Sequence, residues 1–180
     1  MPSPAKRGRP PERPDRRVAI LEAALHCFVD RGFYGTAMPE IAKRAGVAAG
    51  TIYHYFESKE ALVNTLFRSW KMEVAQRVFT KFPHHAGARE QFRVMWHEMI
   101  RFARENPKAF AFIELHNHAS YLDDESRTVD GNLKGFARSV IEQAQRDGLL
   151  KTLDATVLME LVFGAFVGMM RANWEGRVEL

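Results

Sequence analysis

The chain has 180 residues, 46% hydrophobic and 27% charged, which supplies a real core but shows no apolar run of membrane-spanning length. The single cysteine, Cys27, excludes an internal disulfide, and the first residues lack the apolar segment of a secretory signal, so a soluble, cytoplasmic protein is expected. The formal net charge of +4 is carried by residues 1–17, where Lys6, Arg7, Arg9, Arg13, Arg16 and Arg17 face only Glu12 and Asp15; a positive arm on a neutral body suits either a polyanion partner or a solvated tail.

Residues 1–14 are proline-rich and cannot form a helix. Asp15 is placed to cap a first helix, in which Ile20, Ala23, Ala24 and Phe28 follow the i, i+3, i+4 rule up to Gly32. A short helix is predicted over Met38 to Ala45, with Thr36 as N-cap and Pro39 in the tolerant first turn. Gly46 breaks it, and a third short helix spans about Ala49 to Phe56. Ser58 then starts a long amphipathic helix that reaches Phe82 and stops at Pro83. Further helices are expected at about 87–105, 107–117, 130–147 and 154–175, with Asp123, Asp124 and Gly131 marking a loop. No alternating strand pattern, internal repeat or Gly-rich phosphate loop is present in the sequence, so the fold class is all-α.

Two short helices around Gly46 have the spacing of a helix-turn-helix, in which the first braces the second against the major groove of DNA. Ala48, Ala49 and Gly50 are small enough to let the backbone approach a duplex. Thr51 offers a hydroxyl, and Tyr53, His54 and Tyr55 offer donors and rings to phosphates, sugars and base edges. Lys59 adds a positive charge at the start of the next helix, and Phe56 reads as an apolar anchor.

At these residues the chain resembles the TetR/AcrR-type transcriptional repressors. The resemblance runs over about 16–68 and is carried by Gly32-Phe33, Thr36, Ile41-Ala42, Ala45-Gly46-Val47, Gly50-Thr51-Ile52-Tyr53, Tyr55-Phe56, Ser58-Lys59-Glu60 and Leu62. It implies phosphate contacts from Thr36, Tyr53, Tyr55 and Lys59, and groove contacts from Ala48, Ala49, Thr51 and His54. Two positions depart from the family pattern: Ala49 stands where a hydroxyl residue is common, and Pro39 where a polar residue is common. Residues 1–14 read from their prolines and charges as a disordered basic arm, and the resemblance implies a helix-turn-helix domain at 15–60 and a helical ligand-binding and dimerisation domain at 61–180.

Arg-Gly-Arg-Pro, residues 7–10, is similar to the core of an AT-hook. Gly8 lets the chain lie flat on a minor-groove floor while Arg7 and Arg9 point into its negative potential. A minor-groove arm and a solvated tail both remain open.

In the remainder, residues 157–170 are apolar almost all round, and Leu161, Gly164, Ala165 and Gly168 suit close helix approach against a second copy of the chain. A transmembrane span is the rival, but Glu160 interrupts the segment and Arg171 follows soon after. Trp96, Met99, Phe102, Phe112, His116, Tyr121 and Phe166 are candidates to line an adaptable apolar ligand site, although such stripes also build cores. The histidines have no accompanying set of metal ligands, so no metal or cofactor is expected. Glu114 with His116 comes nearest to an acid/base pair, but side chains at i and i+2 diverge on a helix, so an enzyme is not expected. The sequence therefore points to a homodimeric repressor that binds a palindromic operator on double-stranded DNA and is released by a small apolar effector, with no membrane partner.

Overall fold

The computed structural model describes residues 15–179, which form eight α-helices and one π-helical turn, without a strand among them. Helix α1 (Arg16–Arg31) begins where the Asp15 carboxylate accepts the Arg17 N–H at 2.9 Å. It buries Ile20, Ala23, Ala24, Leu25 and Phe28 and stops at Gly32, whose φ of +68° few other residues adopt without strain. Helix α2 (Met38–Arg44) starts one residue later than a Thr36 cap would place it. Ala37 stands at the cap position, and its N–H donates to the Glu40 carboxylate at 3.1 Å. Gly46, at φ +69°, turns the chain into α3 (Ala49–Tyr55). Helix α4 (Lys59–Lys81) is capped by Ser58, which accepts the Ala61 N–H.

Helix α5 (Ala88–Glu105) runs back along α4, tied by Lys81–Glu98 at 2.8 Å and Arg77–Glu105 at 2.6 Å. Asn106-Pro107 breaks it, and α6 (Pro107–Phe110) gives way to a π-helical turn over Ala111–Leu115. The turn ends at His116, which is extended, so the predicted helix over 107–117 is shorter and not uniformly α. Helix α7 (Asp124–Arg146) begins well before the expected residue 130. Asp123 is its N-cap, accepting the Ser126 N–H at 2.8 Å, and Asp124 and Glu125 favour its first turn. Gly131 is simply an interior helix residue there, at a cost of about 1 kcal/mol.

Helix α8 (Ala155–Trp174) is capped by Asp154. Its mean hydropathy of 1.5 over 18 residues makes it long and apolar enough to cross a membrane by length and composition, contrary to the reading that the run is too short. Only 28% of that window is buried, yet Phe166 and Met170 belong to the same buried cluster as Ile20, Phe28, Ile52 and Leu62. One continuous core thus links the N-terminal helices to the rest, with α4 as the shared strut.

Candidate functional site

The first candidate surface is α3. Its seven residues cannot hold a helix alone, because so short a segment has too few hydrogen bonds to offset nucleation. Packing supplies what is missing: Ile52 and Phe56 are buried in the core, and α2 lies alongside. The opposite face is bare. Tyr53 is 51% exposed and Tyr55 40%, and His54, Ala48, Ala49 and Gly50 are exposed as well. Thr51 is half-buried. A Cβ added at Gly50 would meet nothing within 4 Å among the described residues, so none of them crowds this side of α3.

Two residues expected on this surface turn inward instead. Thr36 is 2% exposed, and its hydroxyl is shared between the carbonyls of Gly32 (2.8 Å) and Cys27 (3.0 Å) at the end of α1. The Lys59 ammonium donates to the carbonyls of Phe33 (2.8 Å) and Thr36 (2.9 Å) and lies 4.2 Å from the Phe33 ring centroid. A turn with unpaired helix-end carbonyls draws in the nearest donors, so these two side chains pin the α1–α2 connection. Arg7 and Arg9 lie outside the described residues.

The second candidate is a cavity of about 610 Å³ between α4, α5, α7 and α8. Trp96 and Met99 line it, as do Val74, Val78, Phe92 and Met95. The other expected lining residues pack elsewhere. Phe102 lies against Trp70, Phe112 stacks on Phe28, and Phe166 meets Trp96 and Phe110 edge-on. Tyr121 stacks on Phe33 at 4.1 Å, and half-buried His116 is not in the cavity wall. These rings fill the common core, which leaves fewer aromatics for the cavity than the helical stripes suggested.

The cavity also holds charges that the apolar stripe concealed. Lys71 Nζ donates to Glu114 Oε1 and Asp130 Oδ1, both at 2.9 Å, and Lys134 reaches Asp130 Oδ2 at 2.9 Å. All four side chains line the space. Burial opposes the Lys71 charge, but Glu114 and Asp130 more than offset it and raise its pKa. Burial raises the pKa of Glu114, and Lys71 only partly opposes this. Burial acts the same way on Asp130, but Lys71 and Lys134 together overcome it and lower its pKa. Glu114 is therefore the less compensated carboxylate, and its partner is Lys71 rather than His116. The sequence did carry a signal: a lone carboxylate inside Phe110–Leu115, and a lysine three residues before Val74 on an apolar face.

The Glu114 end of the cavity is joined to helices α1–α3 by the segment after the π-helical turn. Buried His118 bridges the Phe112 carbonyl at Nε2 (2.5 Å) and the Tyr121 hydroxyl at Nδ1 (2.9 Å). Tyr121 in turn stacks on Phe33, whose carbonyl Lys59 holds. The Tyr34 hydroxyl meets Ser120 Oγ at 3.0 Å, and Arg68 pairs with Asp123 at 2.8 Å.

Two family models match this chain. Residues 20–66 match the bacterial regulatory proteins of the tetR family, and residues 67–180 match the tetracyclin repressor-like C-terminal domain, so the join falls inside α4. The fatty acid metabolism regulator protein of Bacillus subtilis (strain 168) is 25% identical over 151 residues, covering 82% of this chain and 77% of that one. Among solved structures, a TetR family transcription regulator from Marinobacter aquaeolei VT8 superposes with a TM-score of 0.80 at 27% identity, covering 91% of this chain and 86% of that one. AibR, crystallised with isovaleryl coenzyme A and operator DNA, superposes with a TM-score of 0.74 at 25% identity, covering 87% of this chain and 86% of that one.

Proposed function

The chain belongs to the TetR family of transcriptional regulators, and from that premise we propose that it is a cytoplasmic homodimeric repressor that leaves a palindromic operator when a small, largely apolar effector enters the helical cavity. The observation that carries the DNA-binding part is the division of α3 into two faces. Ile52, with the adjoining Phe56, is locked into the core while Tyr53, His54 and Tyr55 stand bare beside three small residues. Rings with polar tips on a braced helix suit phosphates and sugars, and small residues suit close passage to base edges. Tyr53 and Tyr55 are assigned the phosphate contacts, Ala48, Ala49, Thr51 and His54 the groove contacts, and Arg7 and Arg9 the adjacent minor groove. Lys59 and Thr36 act one step back, by holding the turn against which α3 is seated.

Dimerisation is assigned to α8. Leu161 is 64% exposed, and Gly164, Ala165 and Gly168 are exposed with it, an apolar stripe that one chain leaves uncovered. Pairing through it would set two α3 helices one helical turn apart, ~34–36 Å. For release, an effector that prefers one spacing shifts the equilibrium by its differential affinity; a tenfold loss of operator binding needs about 1.4 kcal/mol. The contacts from Glu114 to Lys71, from Lys71 to the Phe67 ring, from Phe67 to His118, and from His118 through Tyr121 to Phe33 supply a physical link. That AibR was crystallised with a ligand and operator DNA supports the pairing of both tasks on this fold.

Selection from a random duplex pool tests the reading. An inverted repeat with half-sites about one turn apart is expected, bound more weakly as salt rises. Retention of only a single half-site, or no enrichment at all, would overturn it.

A further inference from the structure

The effector cavity is not uniformly apolar, and its polarity is organised. Along α4 the lining runs from Lys71 through Val74 to Val78, and along α7 from Asp130 to Ala144. Lys71, Glu114, Asp130 and Lys134 therefore gather where the lining stretches of these helices begin, at the end of the cavity toward the DNA-binding half. Apolar side chains follow: Val74, Met95, Trp96, Met99, Val140 and Phe163. Arg89 is the remaining lining cation, and it sits at the start of α5, beyond the other end of α4.

We infer that the Lys71–Glu114–Asp130 end is a head-group subsite, and that it selects an amphiphile bearing a protonated amine, with Glu114 Oε2 as its acceptor and the alkyl body lying along Val74, Met99 and Trp96. The inference rests on reading this cavity as the effector site, and adds to it the chemistry of the ligand's polar end. The geometry argues for it in three ways.

The first is charge balance. One enclosed ammonium, Lys71, faces two carboxylates, and the balancing Lys134 is 53% exposed and reaches Asp130 rather than Glu114. The enclosed part of the cluster has one negative charge in excess, which a cationic head cancels and an anionic head doubles. The second is hydrogen bonding. Glu114 Oε1 accepts from Lys71, whereas Oε2 takes part in no hydrogen bond among the described residues. Its side chain is 13% exposed and lines the cavity, so the free oxygen is within reach of a ligand donor. A carboxylate held in apolar surroundings gains most from a partner that brings both a charge and a proton to share. The upward-shifted pKa of Glu114 agrees with that shortfall. The third is orientation. Among the described residues, the one lining cation without a carboxylate partner is Arg89, so an acid would seat its head there, which would force its hydrocarbon end onto the charged cluster.

Three probes with one chain length and different heads separate the outcomes: 1-aminodecane, 1-decanol and decanoate. Each is titrated, below its micelle concentration, into the full-length protein by calorimetry, with no DNA present. The amine is expected to bind at least tenfold more tightly than decanoate, with decanol between. Glu114→Gln should weaken the amine about tenfold and leave decanol within twofold. The wild-type order needs no variant, so it holds even if the substitution proves harmful to folding. Decanoate binding most tightly would overturn the head-group assignment while leaving the cavity as the effector site. An unchanged amine preference in a folded Glu114→Gln protein would do the same. Heat from none of the three would sink both the assignment and the effector reading of the cavity.

Discussion

The Asn64 side chain, on α4, binds the Tyr121 backbone carbonyl, 57 residues further along the chain, at 2.8 Å. The same amide donates to the Glu60 carbonyl at 2.9 Å, and its oxygen accepts the Asp123 N–H at 2.9 Å. One residue, 2% exposed, thus satisfies three backbone groups and fastens the segment that follows the cavity floor onto the strut from the DNA-binding half. Replacing Asn64 by Leu orphans the Tyr121 carbonyl and the Asp123 N–H, while the Glu60 carbonyl keeps its helical partner. A loss of about 2–3 kcal/mol in stability is expected from urea unfolding. Effector-induced release of operator should also weaken relative to the unliganded affinity, because the segment is no longer tied to α4. An Asn64→Leu protein with full stability and full response would show that this clasp holds nothing.

Tyr55 separates docking from folding. Its ring is exposed and makes no hydrogen bond within the described residues, while its neighbours Ile52 and Phe56 carry the packing. Tyr55→Ala should therefore leave the melting curve nearly unchanged. Losing one hydrogen bond to a charged phosphate costs about 1.5–3 kcal/mol, at least tenfold in affinity, and it should do so alike on selected and random duplexes. Fluorescence anisotropy against both checks this. Wild-type affinity would remove α3 from the interface.

The DNA-binding half was readable in the sequence because its determinants are local. Asp15, Gly32, Gly46 and Ser58 mark ends that the structure has, and Ile52 and Phe56 are buried as their spacing implies. The cavity was not readable in the same way. Its wall comes from four helices distant in sequence, and a stripe of rings looks the same whether it meets a void or another ring. Trp96 and Met99 fell on the void; Phe102, Phe112 and Phe166 fell on other rings. The pairing of Lys71 with Glu114 was not readable because it spans 43 residues. Asp123 misled in a simpler way: the same residue type that marks a loop also caps a helix, and here it does the latter.

His118 makes stability depend on pH. Burial lowers its pKa from 6.5 to about 4; His116 and Lys71 push the same way, while its hydrogen bond to the Phe112 carbonyl and Asp130 push back. As a neutral ring it donates from Nε2 to Phe112 and accepts the Tyr121 hydroxyl at Nδ1. The unfolded chain takes up a proton as pH falls through 6.5, and the folded chain does so only near 4. The contribution is thus complete above 6.5 and is lost on the way down, amounting to about 3 kcal/mol by pH 4. Urea midpoints measured from pH 7 to 4 should fall accordingly, and His118→Gln should flatten that part of the slope. Parallel slopes in the two proteins would mean that other groups carry the acid sensitivity.

Leu161 bears on whether two copies act together. It projects from α8 with Val157 (53% exposed) and Val162 (40% exposed), while Phe166 and Met170 hold the other side of the same helix in the core. A charge placed at Leu161 should not disturb that inner side. Leu161→Glu brings two carboxylates together across a two-fold contact, where one copy of a residue faces the other or its close neighbour. Sedimentation should then show the monomer mass at concentrations where the wild type is a dimer. Operator affinity should fall on the order of a hundredfold, the avidity lost when two half-site contacts are no longer linked. Affinity for an isolated half-site should hardly change, since α3 and its rings are untouched. A dimer that survives the substitution would move the interface off this face of α8, and the half-site spacing argued above would lose its structural basis.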